Sequence, residues 1–201
     1  MSTLLWLVML LQAQHQNHPP RSAGEYAKVL ENPARDAWQK PHEVVTALGL
    51  RPDEAVADIG AGSGYFSRRL AHHAGKVYAV DIDAKLLEMA KANAPANVET
   101  VLASANDPKL AEGSVDTIFF CDVLHHISER GAYYAKLGRA LRPGGRIVMI
   151  DFRKLDLPVG PPVSMKLAEE EVVAEMKAAG FVLARKHDFL PYQYFMEFRR
   201  P

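Results

Sequence analysis

The most informative stretch of this sequence is Ala55–Ser67, which reads AVADIGAGSGYFS. It begins as a short apolar run, interrupted by Asp58, and such a run predicts a buried strand. Three glycines follow at alternate positions, Gly60, Gly62 and Gly64, and a helical spacing of apolar residues comes after them. Glycine allows positive φ angles and, because it lacks a Cβ atom, lets a ligand approach the backbone closely. A strand, a glycine turn and a helix in this order predict a nucleotide-cofactor site at the carboxyl end of a parallel strand.

The spacing of these glycines argues against a dinucleotide. A dinucleotide fingerprint requires G-x-G-x-x-G, but here the third glycine falls one place early and Tyr65 stands where the pattern needs glycine. The stretch also lacks the lysine and the serine or threonine of a phosphate-binding P-loop. Asp58 lies just before the glycines, where its charge would repel a pyrophosphate. It favours a cofactor with a cationic end, such as an amino acid ammonium group.

A second acidic signal follows the next apolar run. Residues 76–80 (KVYAV) predict the second strand, which closes on Asp81, Ile82 and Asp83. In nucleotide-binding folds an acid at the end of the second strand, about 20 residues past the glycines, accepts hydrogen bonds from the ribose hydroxyls. Asp81 is therefore the predicted ribose ligand.

Four motifs follow one another along the chain: VADIGAGSG (56–64), AVDID (79–83), GSVDTIFFCDVLHHI (113–127) and LRPGGRIV (141–148). Together they resemble the successive motifs of class I S-adenosylmethionine-dependent methyltransferases of type 11 or 25, and the resemblance covers roughly residues 40–198. It implies an α/β fold, a Rossmann-like three-layer sandwich with a seven-stranded, mostly parallel sheet and an antiparallel C-terminal strand. It also implies S-adenosyl-L-methionine as the cofactor.

The resemblance further implies which residues bind the cofactor. In the family the glycine turn borders the methionine part, and the acid of the second strand, here Asp81, holds the ribose. Asp58 is expected to favour the ammonium end of the cofactor. The expected cofactor-binding residues are Asp58, Gly60, Gly62, Gly64, Asp81, Ile82, Ser104, Ala105 and Cys121.

The adenine end of this expected site departs from the family pattern. Many members place an Asp-Ala pair just after the third strand, which is predicted here at residues 98–102. Ser104 stands where the acid is expected, directly before Ala105. Either Ser104 and the Ala105 backbone contact the adenine amine, or Asp107 reaches back to it.

Two adjacent histidines, His125 and His126, are candidate catalytic bases. Residues 115–121 (VDTIFFC) are apolar except for Asp116 and predict a central strand buried on both faces. The histidines follow the carboxyl end of this strand, which faces the ligand in such sheets. An imidazole titrates near neutral pH and can accept a proton from a hydroxyl or an ammonium group. Alternatively, each histidine only holds the turn by hydrogen bonds, because transfer from a sulfonium needs a base only when the nucleophile arrives protonated.

A helical cap is predicted before the first strand, at residues 21–50. Ser22 and Glu25 have the spacing of a capping box at its first helix. In the family such helices cover the cofactor and shape the acceptor pocket. Tyr26 and Trp38 could line that pocket, or they could pack the helices onto the sheet.

The second half of the chain predicts a helix at 129–141 with Ser128 as its cap, then a turn at 142–145 and a fifth strand at 146–151. The loop at 154–166 holds three prolines and is predicted to set acceptor specificity. A helix at 167–179 and two strands at 181–186 and 192–198 complete the chain.

The beginning of the chain carries a separate signal. Residues 4–11 (LLWLVMLL) are too short to span a bilayer but have the length of a signal-peptide core, with Ala13 as a candidate cleavage residue. No Lys or Arg precedes this run, so an export or membrane-associating segment and a plain hydrophobic helix remain alternatives. Residues 12–20 are polar and predict a linker. The expected division is an N-terminal segment, 1–20, and a methyltransferase domain, 21–201.

Composition limits the class of protein. The 201 residues suit one domain with a proper core. Lys plus Arg and Asp plus Glu both number 24, so no basic surplus points to nucleic acid. Cys121 is the sole cysteine, which excludes an internal disulfide or a Cys-based zinc site and argues against thiol-relay members such as arsenite methyltransferases. We expect a cytoplasmic monomer or homodimer without a metal.

The predicted function is methyl transfer from S-adenosylmethionine to a small-molecule acceptor, with S-adenosylhomocysteine as the product. One alternative is an NAD(P)-dependent oxidoreductase, which the glycine spacing and Asp58 disfavour. The other is a non-catalytic module that binds S-adenosylmethionine while its acceptor pocket is filled. The sequence contains no metal-ligand cluster, basic stripe or substrate motif that identifies the acceptor.

Overall fold

The computed structural model of the protein describes residues 22–201. The predictions of a hydrophobic segment at 4–11 and a linker at 12–20 lie outside the described residues. Within the described part of the chain, no helix is long and apolar enough to cross a membrane.

Residues 22–201 contain seven strands: β1 (Ala55–Ile59), β2 (Lys76–Asp81), β3 (Val98–Leu102), β4 (Val115–Cys121), β5 (Leu141–Phe152), β6 (Val182–His187) and β7 (Gln193–Arg199). The α-helices of the same residues are α1 (Ala23–Leu30), α2 (Asp36–Gln39), α3 (Pro41–Leu48), α4 (Tyr65–Ala71), α5 (Ala84–Ala92), α6 (Arg130–Ala140) and α7 (Glu169–Ala178). Short 3-10 helices lie at Pro33–Arg35, Leu124–His126 and Val163–Met165.

The strands form one sheet in the order β3-β2-β1-β4-β5-β7-β6. β1 to β5 pair in parallel, whereas β7 lies between β5 and β6 and is antiparallel to both. This confirms the predicted seven-stranded, mostly parallel sheet with an antiparallel C-terminal strand. The strand order reverses between β1 and β4, and in such sheets ligands bind at the carboxyl ends of the strands beside that reversal.

Helices cover both faces of the sheet and give it three layers. Phe119 and Phe120 of β4 are fully buried on opposite faces, because successive side chains of a strand alternate. Phe119 packs in the layer that contains α3 and α4, and Phe120 packs in the layer that contains α6 and α7. Burial from both sides explains why β4 reads as a nearly continuous apolar run.

The helical cap begins as predicted. The Oγ atom of Ser22 accepts a hydrogen bond from the Glu25 backbone amide, and the Glu25 carboxylate accepts one from the Ser22 amide at 3.0 Å. This is the predicted capping box. The ring of Trp38 lies 5.6 Å from the ring of Phe152, measured between centroids. This contact packs α2 against the end of β5.

Two local predictions were wrong. Ser128 does not cap α6, because the residue at the N-cap position is Glu129, which makes no capping bond with its side chain. The predicted turn at 142–145 belongs to β5 itself. Leu141 pairs with Val115, so the strand begins directly where α6 ends, and residues 142–145 form an irregular, looped-out part of it.

Candidate active site

The glycine turn lies between the carboxyl end of β1 and the start of α4. Gly60, Gly62 and Gly64 have φ angles of +71°, +55° and +85°, which confirms that these positions need the freedom of glycine. The backbone amides of Gly60 and Ala61 both donate to the carbonyl oxygen of Val80, at 2.8 and 3.0 Å. The turn is therefore tied to the end of β2, where the second acidic motif begins.

Two side chains of the protein approach this turn closely. A Cβ atom at Gly60 would come within 2.4 Å of Val123 Cγ2, and one at Gly62 would come within 2.6 Å of Leu30 Cδ1. Leu30 belongs to α1, so the helical cap lies directly over the glycines. The glycines thus permit a close approach by the cap and by Val123, which follows β4.

Polar contacts hold the end of α1 on the turn. The carboxylate of Glu31 accepts hydrogen bonds from Ser63 Oγ at 2.6 Å and from the Arg68 guanidinium at 2.7 Å. Ser63 lies between two of the glycines and Arg68 lies in α4. The cap is therefore joined to both the turn and the helix that follows it.

Asp58 is buried at the end of β1 and accepts a hydrogen bond from Ser67 Oγ at 2.6 Å. Burial raises the pKa of this carboxyl to about 7, with a further contribution from the negative charge of Asp81. The Ser67 bond directs Asp58 towards α4 and joins the strand to the helix.

The carboxylate of Asp81 closes the other side of the turn. Its two oxygens accept hydrogen bonds from the amides of Gly62, at 2.7 Å, and Asp83, at 2.9 Å. Burial raises the pKa of Asp81, against the lowering effect of these bonds. The next residue, Ile82, has 64% of its surface exposed, so an apolar side chain is accessible to solvent beside this carboxylate.

Ser104 and Ala105 lie on the surface beyond β3. Ser104 Oγ lies 3.1 Å from Asn106 Oδ1, and its backbone pairs with Asp107. The Asp107 carboxylate accepts bonds from the Lys109 amide at 2.9 Å and from Lys136 Nζ at 3.2 Å. The Asp107 side chain is therefore already bonded to Lys109 and Lys136. Of the two alternatives for contacting the adenine amine, Ser104 with Ala105 is more exposed than Asp107.

The two histidines have different surroundings. His125 Nδ1 lies 2.9 and 3.0 Å from the two carboxylate oxygens of Asp151, at the carboxyl end of β5. The side chains of His125 and Asp151 are only 3% and 1% exposed. Asp151 also accepts bonds from the amides of His125, at 3.3 Å, and Phe152, at 2.8 Å. The ring of His126 lies 4.2 Å from that of His125, measured between centroids.

The Asp151 carboxylate determines which ring nitrogen of His125 carries the proton. When the imidazole is neutral, Nδ1 carries the proton and donates it to the carboxylate, which leaves a lone pair on Nε2. Burial alone would lower the pKa of His125, but the hydrogen bond and the negative charge of Asp151 outweigh burial and raise it. His125 can therefore act as a base through Nε2, and Asp151 stabilises the charged form.

An arginine from the cap also reaches the carboxyl end of β4. Arg35 Nη2 lies 3.3 Å from Asp122 Oδ2 and 4.0 Å from Cys121 Sγ, and the guanidinium lies 4.4 Å from the centroid of the Tyr65 ring. Gln193 of β7 donates to Asp122 Oδ1 at 2.6 Å. Burial raises the pKa of Asp122 to about 6, against the lowering effect of the Arg35 charge.

Acidic groups outnumber basic ones along this edge of the sheet. Asp58, Asp81, Asp122 and Asp151 stand at or just after the carboxyl ends of four parallel strands. Arg35 is the basic partner of Asp122, and His125 is the basic partner of Asp151.

Sequence reasoning missed Asp151 and Arg35. Asp151 carried the signal that identified Asp81, an acid at the carboxyl end of a parallel strand, and could have been found with it. Arg35 carried no such signal, because its partner Asp122 is 87 residues away along the chain. Only the folded cap brings these two residues together.

Two surface cavities lie away from this site. One, of about 370 Å³, lies at the amino ends of β1 and β4 and includes Glu54, Asp116 and Arg146. Arg146 is 3.6 Å from Glu54, and Asp116 accepts a hydrogen bond from the Ala55 amide at 2.8 Å. These charged side chains therefore bond to other residues of the sheet. The other, of about 260 Å³, lies between α3 and α4. Neither cavity includes a residue of the glycine turn.

Comparison with known proteins agrees with the geometry. Residues 57–149 match the family model of the methyltransferase domain. An S-adenosylmethionine-dependent methyltransferase from Aquifex aeolicus is 26% identical and superposes with a TM-score of 0.81, over 89% of this chain and 98% of that one. The ubiquinone/menaquinone biosynthesis C-methyltransferase of Francisella philomiragia is 26% identical over 80% of this chain, and that of Hahella chejuensis is 30% identical over 58% of it.

The chain spans 64% and 49% of the lengths of those two C-methyltransferases. The superposition on the Aquifex protein, by contrast, covers nearly the whole of both chains. The fold, the glycine turn with its two acids and the family match all agree with the resemblance noted in the motifs. Residues 57–149 match the methyltransferase domain family, and the chain is similar over nearly its whole length to an S-adenosylmethionine-dependent methyltransferase, so these relatives indicate S-adenosylmethionine as the cofactor.

Proposed function

We propose that this protein transfers a methyl group from S-adenosylmethionine to a small-molecule acceptor whose reacting atom arrives with a proton. The observation that carries the proposal is the buried contact between His125 and Asp151, with Nδ1 2.9 Å from the nearer carboxylate oxygen. A base held in this way is needed only for a protonated nucleophile. The acceptor group is therefore a hydroxyl, an ammonium or an acidic C–H rather than a thioether.

The residues around the glycine turn fit the cofactor. Asp81 stands where a ribose would be held, and the exposed Ile82 offers an apolar surface to an adenine ring. Asp58 adds negative charge near the ammonium end. The remaining proposed contacts are Gly60, Gly62, Gly64, Ser104, Ala105 and Cys121. When bound, the cofactor would supply an electrophilic methyl group and leave as S-adenosylhomocysteine, with the electrons of the broken C–S bond on sulfur.

His125 and Asp151 together accept the proton of the acceptor. Nε2 of His125 accepts it from the acceptor, which frees a lone pair on the reacting atom for attack on the methyl carbon. Asp151 then stabilises the imidazolium, and the proton leaves to solvent after the product departs. The remaining barrier is lowered by alignment, which the cap and the strand ends provide by holding both partners in place.

The names of two relatives support a small-molecule acceptor, because both are described as C-methyltransferases of quinone biosynthesis. The oxidoreductase alternative has the weaker support, since the glycine spacing and Asp58 suit neither NAD nor NADP. A non-catalytic module would bind the cofactor without needing the His125–Asp151 contact.

Titration calorimetry of the protein with S-adenosylhomocysteine and separately with NADH tests the cofactor. We expect micromolar binding of the first and none of the second. An acceptor screen that measures the release of S-adenosylhomocysteine then tests transfer, and His125→Gln should lower turnover far more than His126→Gln. Cofactor binding without turnover of any acceptor would favour the non-catalytic alternative.

A further inference from the structure

The hydroxyl group of Tyr194 has no hydrogen-bond partner among residues 22–201, although its atom is fully buried. Tyr194 lies in β7 and packs in the layer between the sheet and α6 and α7. A buried hydroxyl without a partner costs free energy, and such a group in a native protein calls for an explanation, such as a catalytic role or an ordered water. The proposed mechanism does not use this group.

The strand register places Tyr194 beside the proposed base. In the antiparallel pair of β5 and β7, Tyr194 lies directly opposite Asp151. Opposed residues of such a pair project from the same face, with Cβ atoms about 4.5–5.5 Å apart. Tyr194 is thus a neighbour of the carboxylate that holds His125. Burial and the negative charge of Asp151 raise the pKa of Tyr194, so its hydroxyl keeps its proton and acts as a donor.

A second donor atom without a partner among residues 22–201, Nε of Arg153, is buried on the same face, although the Arg153 side chain as a whole is 31% exposed. Arg153 follows Asp151 by two residues, and side chains two residues apart along a strand point to the same side. Its amide pairs with the carbonyl oxygen of Tyr192, which extends the β5–β7 pairing to this position. Arg153 Nε is buried without a hydrogen-bond partner in the described chain. Its nearest carboxylate oxygen, on Glu169, is 4.0 Å away, which is too far for a hydrogen bond.

We propose that Tyr194 and Arg153 form an acceptor subsite, which donates hydrogen bonds to a carbonyl oxygen adjacent to the hydroxyl that His125 deprotonates. This inference rests on the proposed function and adds the class of substrate. Two donors without partners select a group that only accepts hydrogen bonds. The Glu169 carboxylate, 4.0 Å from Arg153 Nε, offsets the guanidinium charge, and the Asp151 carboxylate repels an anion, so the group is an uncharged carbonyl rather than a carboxylate. The acceptor class is a small hydroxy-carbonyl compound.

Calorimetry with a matched pair of probes tests the subsite. The full chain, saturated with S-adenosylhomocysteine, is titrated with 2-hydroxyacetophenone and with 2-ethylphenol, which has a similar shape but no carbonyl oxygen. We expect the ketone to bind roughly tenfold more tightly, the ratio that one hydrogen bond of ordinary strength provides. In Tyr194→Phe the ratio should fall to about one. Equal binding of the two probes by the unaltered protein, or no binding of the ketone, overturns the proposal.

Tyr134→Phe is the matched control. The hydroxyl of Tyr134 has a partner, Glu175 Oε2 at 3.2 Å, so its removal should lower the thermal midpoint and leave the probe ratio unchanged. Tyr194→Phe should leave the midpoint unchanged or raise it, because it removes a buried group without a partner. A lowered midpoint with an unchanged probe ratio would show that the Tyr194 hydroxyl is structural and overturn the proposal. Selective ketone binding without methyl transfer would instead contradict the proposed function and leave the subsite in place.

Discussion

Asp151→Asn is the substitution that tests the proposed base most directly. The Asp151 carboxylate accepts bonds from His125 Nδ1 and from two backbone amides, so it holds the ring and stabilises its charged form. An asparagine has nearly the same shape and can still accept from the Phe152 amide. Its NH₂ group, however, donates to Nδ1 when it faces the ring. That favours the tautomer with the proton on Nε2, which removes the lone pair from the atom proposed as the base.

The expected loss of activity follows from that change of tautomer. General-base catalysis typically contributes about 10²- to 10⁴-fold, so kcat should fall by an amount in this range. The unfolding free energy should fall by about 1.5–3 kcal/mol, the usual value for a hydrogen bond to a charged group. Binding of S-adenosylhomocysteine should change little, because the contacts at the glycine turn do not involve this residue.

The pH profile supplies a second, independent signature. His125 must be neutral to accept a proton, so kcat/KM should rise with pH through its pKa, which Asp151 raises above the ordinary value. Asp151→Asn removes that effect and should move the acid limb of the profile to lower pH. The stability that protonated His125 gains from Asp151 is fully present below its unfolded pKa of about 6.5 and is lost as pH rises through the folded pKa.

The assay measures release of S-adenosylhomocysteine from pH 5 to 9, at saturating cofactor, once the screen has identified an acceptor. Thermal unfolding of the same samples checks that both proteins are folded across this range. A variant that keeps kcat within twofold of the parent, with an unmoved acid limb, would refute the assignment of His125 as the base.

Three further predictions concern the cofactor end of the site. Asp81→Asn should weaken binding of S-adenosylhomocysteine by roughly tenfold or more in calorimetry, since the charged acceptor for the ribose is lost; unchanged affinity would contradict the ribose assignment. Gly60→Ala should lower the unfolding free energy by about 1–3 kcal/mol, because φ is +71° and the new Cβ would meet Val123 at 2.4 Å. Gly49→Ala is its control, having φ of +55° with no atom within 4 Å, and should cost less in the same urea titration. Asp58 has a pKa raised to about 7, so the folded state binds more protons than the unfolded one and stability should fall as pH rises from about 4 to 7. Asp58→Asn should flatten that pH dependence, and an unchanged slope would count against the burial argument.

The site residues that could be predicted from the sequence are those that belong to a local sequence pattern. Gly60, Gly62 and Gly64 were identifiable because a turn between a strand and a helix needs positive φ, which few other residues adopt. Asp81 was identifiable because it directly ends an apolar run. Both signals lie within a few residues of the structure that they predict.

The choice between His125 and His126 could not be made in this way. The two are adjacent, follow the same strand and have the same intrinsic chemistry. Only the parallel pairing of β4 with β5 brings Asp151 to His125, which lies 26 residues away along the chain. Arg35 illustrates the same limit over a longer separation, since its contact with Asp122 depends on how the cap folds over the sheet.

The amino-acid sequence alone was sufficient for the order of strands and helices, the glycine turn and its two acids, because apolar periodicity and glycine placement act over short distances. Tertiary structure was needed to distinguish the two histidines, to reveal the Arg35 contact and to show a buried Tyr194 hydroxyl without a partner among the described residues. These features depend on the pairing of β5 with β4 and β7 and on the packing of the helical cap against the sheet. Strand register and helix docking are set by the packing of the whole core, which no single stretch of sequence contains.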